Sequence, residues 1–181
     1  GTITIANSAF AADTGTGHGG EFIVTAFSGA TPDTTGSAMV SNNAGSLFQT
    51  FCLEKNENLG GATNFAINTA ADLGGTGGGS PDPLSEDTAQ LYYAFWYDLW
   101  SATATTADDY NYADSGGTRI DDAGDMQLAI WFLEDEISFT KLQQNDNGKA
   151  EKFVDFAQTV TWSDLGAGSL TGIGDVRVLN L

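Results

Sequence analysis

Cys52 is the only cysteine in the 181 residues of this chain, and Gln127 is a chemically suitable partner for it. Gln127 lies within the apolar run MQLAIW, where a primary amide costs free energy unless its hydrogen bonds are made. A cysteine sulfur held against such an amide can attack its carbonyl carbon and displace ammonia, which leaves an internal thioester. An incoming amine or hydroxyl would open that thioester and become bound to the Gln127 side chain. The pair therefore predicts covalent capture, one event per molecule and without turnover.

A second interpretation of the same pair stays open. Gln127 would then only hydrogen-bond to loop backbone, and Cys52 would be an inert thiol in the core. The two interpretations differ in thiol reactivity. An inert thiol appears on unfolding, whereas a thioester yields no thiol until a nucleophile opens it.

The elements that must position this pair follow the order strands, helices, strand. TITIA, GEFIVTAFSG and SLFQTFCLE alternate apolar and polar residues as strands do, which places Cys52 near the end of a strand. Helices are predicted for TAQLYYAFWYDLW after an N-cap at Ser85, for DAGDMQLAIWFLEDE and for GKAEKFVDFAQTVTW. GDVRVLNL is predicted to close the chain as a strand.

This order predicts one α+β domain, a β-sandwich or barrel with a helical insertion of about three helices. We expect residues 1–70 to be mostly β, 84–162 to form the helical insertion and 170–181 to supply the closing strand. The terminal strands are expected to complete the sheet within one molecule. Self-association through these strands, possible for short apolar edges, is the alternative.

The charge balance restricts the class of partner. Six Lys and Arg against 24 Asp and Glu give a formal net charge of −18, which argues against nucleic acid and anionic lipid. The sequence contains no apolar run long enough to insert into a membrane. We interpret GTITIANSAF as a mature start with any signal peptide already removed. The acidic, Lys-poor composition is typical of an exported bacterial surface protein.

The two motifs around Cys52 and Gln127 resemble those of thioester domains in Gram-positive surface adhesins. FCLE matches the first motif through Phe51 and Cys52, and MQLAIW matches the second through Gln127, Ile130 and Trp131, with Ala129 between them. The resemblance implies a thioester between Cys52 and Gln127, in an environment formed by Phe51, Ile130 and Trp131. It also implies a β-barrel or sandwich with a helical part between the motifs, and a role in adhesion.

A second resemblance covers more of the chain. FQTFCLEKNENL, TAQLYYAFWYDLW, MQLAIWFLEDE and GDVRVLNL are similar to segments of exported Gram-negative proteins that carry a PEP-CTERM sorting tail. That resemblance implies a structural protein of the cell surface or extracellular matrix, with exopolysaccharide or the cell surface as partner and a role in biofilm formation. No Pro-Glu-Pro motif follows in this sequence, and such a tail would be removed on maturation.

The residues give little support to an enzyme. A catalytic triad would depend on His18, the single histidine, which lies in a Gly-rich stretch, and no Gly-x-Ser-x-Gly motif is present. A glycosidase needs two carboxylates, for which Glu54, Glu57, Glu134 and Asp135 are candidates among 24 acids. We therefore predict a protein that is not an enzyme.

Two binding functions form the alternative class, a β-sandwich module that binds carbohydrate or calcium and keeps Cys52 as an inert thiol. Carbohydrate would stack on an exposed aromatic row on the first helix, comprising Tyr92, Trp96 and Trp100. No cofactor is required by the sequence, although Ca²⁺ is possible in DDYNYADSGG, where Asp109, Asn111 and Asp114 have oxygen ligands at close spacing. The competing interpretation is a solvated acidic loop.

Overall fold

The computed structural model describes residues 1–13, 18–28, 48–55, 61–72, 75–77, 79–102, 109–113 and 118–181. These residues form an α+β fold, as the order of elements predicts. The main sheet is antiparallel, with strand order β3-β2-β1-β4. Its strands are β1 (Thr2–Asp13), β2 (His18–Ser28), β3 (Phe48–Thr50) and β4 (Gly61–Asn64).

Two smaller antiparallel sheets accompany the main one. Strand β5 (Ala66–Asn68) pairs with the C-terminal strand β8 (Val178–Asn180). Strand β6 (Ala70–Ala71) pairs with β7 (Asp82–Pro83). Both terminal strands therefore pair within the molecule but in different sheets, so the expectation that they complete one sheet is wrong. The pairings among the described strands leave the main sheet open.

Four α-helices lie between β7 and β8 in the described chain, one more than predicted. Helix α1 (Glu86–Tyr97) begins after Ser85, whose side chain accepts a hydrogen bond from the Thr88 backbone as predicted. Helix α2 (Thr118–Leu133) carries Gln127 and begins earlier than predicted. The additional helix is α3 (Phe139–Asn145), and α4 (Ala150–Thr159) lies within the third predicted segment.

Helix α2 is the element on which the core is organised. It packs against β1 and β2 on one side and against α4 on another. Trp131, Met126 and Leu128 in its second half are fully or almost fully buried, which excludes water from the layer between helix and sheet. Gln127 thus lies in the most protected part of the molecule.

Strand β3 ends earlier than the sequence pattern predicts. Alternation continues through Glu54, yet the strand stops at Thr50 after three paired residues on β2. Cys52 lies two residues beyond that end, in an irregular segment. No described helix combines the length and the apolar content that crossing a bilayer requires.

Candidate functional site

Cys52 and Gln127, separated by 75 positions, are in direct contact. The Gln127 side-chain carbonyl Oε1 accepts a hydrogen bond from the Cys52 backbone N–H at 2.9 Å, and its Nε2 donates to the Cys52 carbonyl at 2.7 Å. The Gln127 amide therefore pairs with both backbone groups of Cys52, as a residue on a neighbouring strand would otherwise do. Both polar ends of Gln127 are satisfied although the residue is fully buried.

These hydrogen bonds hold the Gln127 side-chain carbonyl in a defined orientation. An attack by the Cys52 sulfur on the Gln127 side-chain carbon would put negative charge on Oε1. The Cys52 N–H already points at that oxygen, and a preorganised donor at this position stabilises such charge. The geometry is compatible with thioester formation and equally with a permanent amide–backbone contact.

Close packing fixes Gln127 from the side of the sheet. A Cβ atom at Gly19 on β2 would lie 2.6 Å from Cγ of Gln127 and 3.0 Å from the ring of Trp131. Glycine is thus required at position 19 for α2 to approach β2 this closely. Because the approach leaves little free space, the Gln127 side chain has few alternative rotamers.

A buried ion pair anchors the first turn of α2 to the same strand. Arg119 donates to both carboxylate oxygens of Glu21 on β2, with the closest contact at 2.9 Å. Tyr110 donates to Glu21 Oε2 at 2.8 Å, and Arg119 Nη1 donates to the Tyr112 carbonyl at 2.6 Å. Such bidentate, fully hydrogen-bonded pairs fix orientation, so they set the position of α2 on the sheet.

A cavity of about 490 Å³ borders Cys52. Its walls include Phe51, Ile130, Tyr93 and Trp96, together with the C-terminal segment 175–181. Cys52 itself is 9% exposed, whereas Gln127 has no exposed surface. A small nucleophile would therefore approach the pair from the Cys52 side, beneath the closing strand β8.

The predicted environment residues lie as follows. Phe51 is half-buried and packs edge-on against Phe95, with ring centroids 5.0 Å apart. Ile130 is buried and lines the cavity next to Cys52. Trp131 is fully buried against Gly19, and its indole N–H has no hydrogen-bond acceptor among the described residues. The walls of the site are thus mainly apolar.

Three buried carboxylates lie beyond the Cys52 segment and were not predicted as a group. Oxygens of Glu54, Asp82 and Glu136 all lie within 4.8 Å of one another. Glu54 follows Cys52 by two residues, Asp82 is on β7, and Glu136 follows the end of α2. Sequence reasoning considered Glu54 only as half of a glycosidase pair, because nothing in the local pattern connects these three positions.

Backbone donors hold Glu136 in this cluster. Lys55 N and Thr76 N donate to its Oε2 at 3.0 and 2.8 Å, and Gly77 N donates to Oε1 at 2.7 Å. The Gly-rich loop thus binds a carboxylate through its amides. Burial, and then the negative charges of Glu136 and Asp135, raise the pKa of Asp82 above its ordinary value.

A lysine ammonium from the start of α4 contacts the loop predicted to bind Ca²⁺. Lys149 Nζ donates to the Asp109 carbonyl at 2.6 Å and to Asp122 Oδ2 at 2.8 Å. Asn111 is part of the same network, since its backbone N–H donates to Asp122 Oδ2 at 2.7 Å. Asp114 lies outside the described residues, and a metal ion at Asp109, Asn111 and Asp114 stays a prediction.

The acids considered for hydrolytic chemistry differ in their surroundings. Glu134 accepts a hydrogen bond from the Ser85 hydroxyl at 2.5 Å, and burial raises its pKa. Asp135 is exposed, and Glu57 lies outside the described residues. His18 is the first residue of β2, and its side chain is not described.

The aromatic residues considered for carbohydrate binding do not form an exposed row. Trp96 and Trp100 are buried, and Tyr92 is half-buried with its hydroxyl donating to the Gln49 carbonyl at 2.7 Å. These side chains contribute to the core instead.

Comparisons with protein-family models, with curated proteins and with solved structures gave no match to this chain. The likeness to thioester domains and to PEP-CTERM-sorted proteins therefore depends on the motifs of the sequence alone.

Proposed function

We propose that this protein is an extracellular structural or adhesive protein of the bacterial surface or matrix, and that it attaches covalently through a Cys52–Gln127 thioester. The observation that carries the proposal is the reciprocal hydrogen bonding between the Gln127 amide and the Cys52 backbone. A core glutamine can be satisfied by any backbone segment, but this one is satisfied by the only cysteine in the chain.

The chemistry balances without a further reagent. The Cys52 sulfur bonds to the Gln127 side-chain carbon, and the carbon–nitrogen bond breaks. The thiol proton leaves with the departing amide nitrogen as ammonia. An amine or hydroxyl on the target then replaces sulfur at the same carbon, which restores the Cys52 thiol and leaves an amide or an ester.

The surroundings support capture rather than turnover. The cavity beside Cys52 has aromatic and aliphatic walls, which slow hydrolysis of an activated acyl group by limiting water. Its volume of about 490 Å³ suits an amine side chain or one sugar hydroxyl group with its ring. The proposed targets are therefore surface proteins or exopolysaccharide.

A closed or sandwiched arrangement of the sheets is part of the same proposal. A β-sandwich or barrel in the complete chain is supported by the antiparallel main sheet, with α2 across one face. Self-association through terminal strands is a subordinate possibility of assembly, in which β8 would exchange from its short pairing with β5 to a second copy.

Counting thiols in the unfolded protein tests this function. The thioester predicts no thiol immediately after unfolding, and one thiol per chain if methylamine is added to the folded protein first. Gln127→Ala should show one thiol in both conditions. The exposed Gln144→Ala is the matched control and should behave as the unmodified protein. One thiol in the unmodified protein without methylamine would support the inert-cysteine alternative.

A further inference from the structure

The carboxylates of Glu54, Asp82 and Glu136 form a cluster that is almost inaccessible to water. They are 4%, 7% and 3% exposed, and their oxygens lie within 4.8 Å of one another. Burying ionised carboxylates costs several kcal/mol each unless opposite charge or hydrogen bonds compensate. Three of them together raise this cost through mutual repulsion.

Asp82 has an oxygen that the protein leaves unsatisfied. Its Oδ2 is buried and receives no hydrogen bond from any described residue. The ion pairs found in the described part of the chain are Glu21–Arg119 and Asp122–Lys149, and neither involves Asp82 or Glu136. A buried carboxylate oxygen without a donor, on a residue whose carboxylate lies within 4.8 Å of two others, marks a place for a positive charge.

The end of α2 adds to the negative potential. The last carbonyls of a helix carry partial negative charge, which favours a cation nearby. The last turn of α2 has no basic residue, and Glu136 follows the helix end by three positions. The preference for a cation therefore comes from backbone as well as side chains.

A glycine keeps room beside the cluster. A Cβ atom at Gly75 would overlap Oε2 of both Glu54 and Glu136. The Gly-rich loop can therefore pass directly over the carboxylates and donate Thr76 N and Gly77 N to Glu136. Those bonds and the one from Lys55 N use three of roughly four lone-pair positions of Glu136, so one position remains for a ligand.

We propose that Glu54, Asp82 and Glu136 bind one Ca²⁺ ion. Carboxylate oxygens are hard donors, and Ca²⁺ coordinates them at about 2.3–2.6 Å, so ligands across the ion are about 4.6–5.2 Å apart. The oxygens of the cluster all lie within 4.8 Å of one another, so one ion of this size can contact all three. Mg²⁺ dehydrates reluctantly and is seldom bound by protein carboxylates alone, so Ca²⁺ is the favoured ion.

The ion would connect the two segments that carry the proposed thioester residues. Glu54 belongs to the Cys52 segment and Glu136 to the end of the Gln127 helix, while Asp82 adds β7. Ca²⁺ binding would therefore stabilise the contact between these segments. The site itself depends on no thioester, since its ligands are complete whether or not Cys52 and Gln127 react.

Calorimetric titration of EDTA-treated, dialysed protein with CaCl₂ tests the site. We expect uptake of one Ca²⁺ per chain and a higher Tm in millimolar Ca²⁺ than in EDTA, by about 5 °C when the ion is near 100 times its Kd. Mg²⁺ at the same concentration should give a smaller shift. Absence of Ca²⁺ uptake would overturn the proposal and would indicate that the cluster is neutralised by protons.

Asp82→Asn is the most informative variant, because Oδ2 makes no hydrogen bond that the substitution would break. We expect at least tenfold weaker Ca²⁺ binding and an unchanged or higher Tm in EDTA, since one repelling charge is removed. Asp155→Asn, an exposed acid on α4, is the matched control and should bind as the unmodified protein does. Unchanged Ca²⁺ binding in Asp82→Asn would contradict the proposal. Glu54→Gln provides a second, independent test with the same expected loss.

Discussion

The two ends of α2 stabilise buried carboxylates in different ways. Near its first turn, Glu21 is matched by Arg119 at 2.9 Å and Asp122 by Lys149 at 2.8 Å. Beyond its last turn, Glu136 is held by backbone amides, and Asp82 Oδ2 has no described donor. Ion pairs thus neutralise Glu21 and Asp122 at the first end, whereas the Ca²⁺ ion proposed above would supply the positive charge at the second.

Buried acids therefore have a structural role at the first end of α2 and a proposed binding role beyond the second. The Glu21–Arg119 pair fixes α2 on β2, and the Asp122–Lys149 pair joins α2 to the start of α4. The acids beyond its end instead surround a place for a cation, next to the segment of Cys52. Gln127 lies between the two ends, so both determine how accurately it meets Cys52.

Removing the ion pair at the first turn of α2 should have the largest effect on stability. Arg119→Met leaves Glu21 as an uncompensated buried charge, which we expect to lower the free energy of unfolding by roughly 3–5 kcal/mol. Urea unfolding followed by circular dichroism measures the change. Arg177→Met, at an exposed arginine, is the matched control and should stay within about 0.5 kcal/mol. Equal effects of the two variants would show that the ion pair does not position α2.

Truncating Gln127, which lies between the two ends of α2, should lower the free energy of unfolding by somewhat less. In a Cys52→Ala background, where no thioester can form, Gln127→Ala removes the amide from the residue-52 N–H and carbonyl in a buried site, each at a cost of about 1–3 kcal/mol. We expect a loss of roughly 2–4 kcal/mol in urea unfolding, against almost none for the exposed Gln144→Ala. A loss below about 0.5 kcal/mol would mean that water or another group replaces the amide.

Adding a methyl group beside the carboxylates that follow α2 should have a moderate effect on stability. Gly75→Ala introduces a methyl group that overlaps the carboxylates of Glu54 and Glu136, which we expect to cost about 1–3 kcal/mol. It should also reduce the Ca²⁺-dependent rise in Tm. Gly79→Ala in the same loop is the control, because its new Cβ would meet nothing nearer than Pro81 O at 3.5 Å. Identical melting curves for the two variants would contradict the described loop geometry.

The last expected effect is a pH dependence within the helix. Burial raises the pKa of Asp125 to about 6, so the folded protein keeps this proton at pH values where the unfolded chain has released it. The stabilisation is complete below the unfolded pKa of about 3.9 and is lost as pH rises through the folded pKa. Between these values Asp125 lowers stability by about 1.4 kcal/mol for each unit of rising pH.

Unfolding free energies at pH 4.5, 5.25 and 6 measure that slope. Asp125→Asn should remove this contribution, whereas the exposed Asp155→Asn should keep it. Parallel pH profiles for the unmodified protein and Asp125→Asn would show that Asp125 has an ordinary pKa in the folded state.

The Cys52–Gln127 contact could be predicted because each residue is unusual in its place. A single cysteine and a primary amide in an apolar helix both require an explanation, and one explanation served both. The early end of β3 could not be predicted, since the hydrogen bonds that replace the strand come from a side chain far along the sequence. Alternation of side chains carries no information about that replacement.

The acid cluster could not be predicted for a different reason. Glu54, Asp82 and Glu136 are three of 24 acids, and only the packing of the Gly-rich loop and β7 brings them together. Helix α3 was missed because Leu142 is its only buried residue, which produces no periodic apolar pattern. Its N-cap at Ser138 was the one local signal available.

The intact mass of the purified protein, before and after incubation with methylamine, tests the thioester most directly. The account predicts a mass lower than that of the sequence by one ammonia, then an increase of one methylamine. Both changes should be absent in Cys52→Ala and present in Asp82→Asn. A mass equal to that of the sequence, unchanged by methylamine, would contradict covalent capture and leave Cys52 as an inert core thiol.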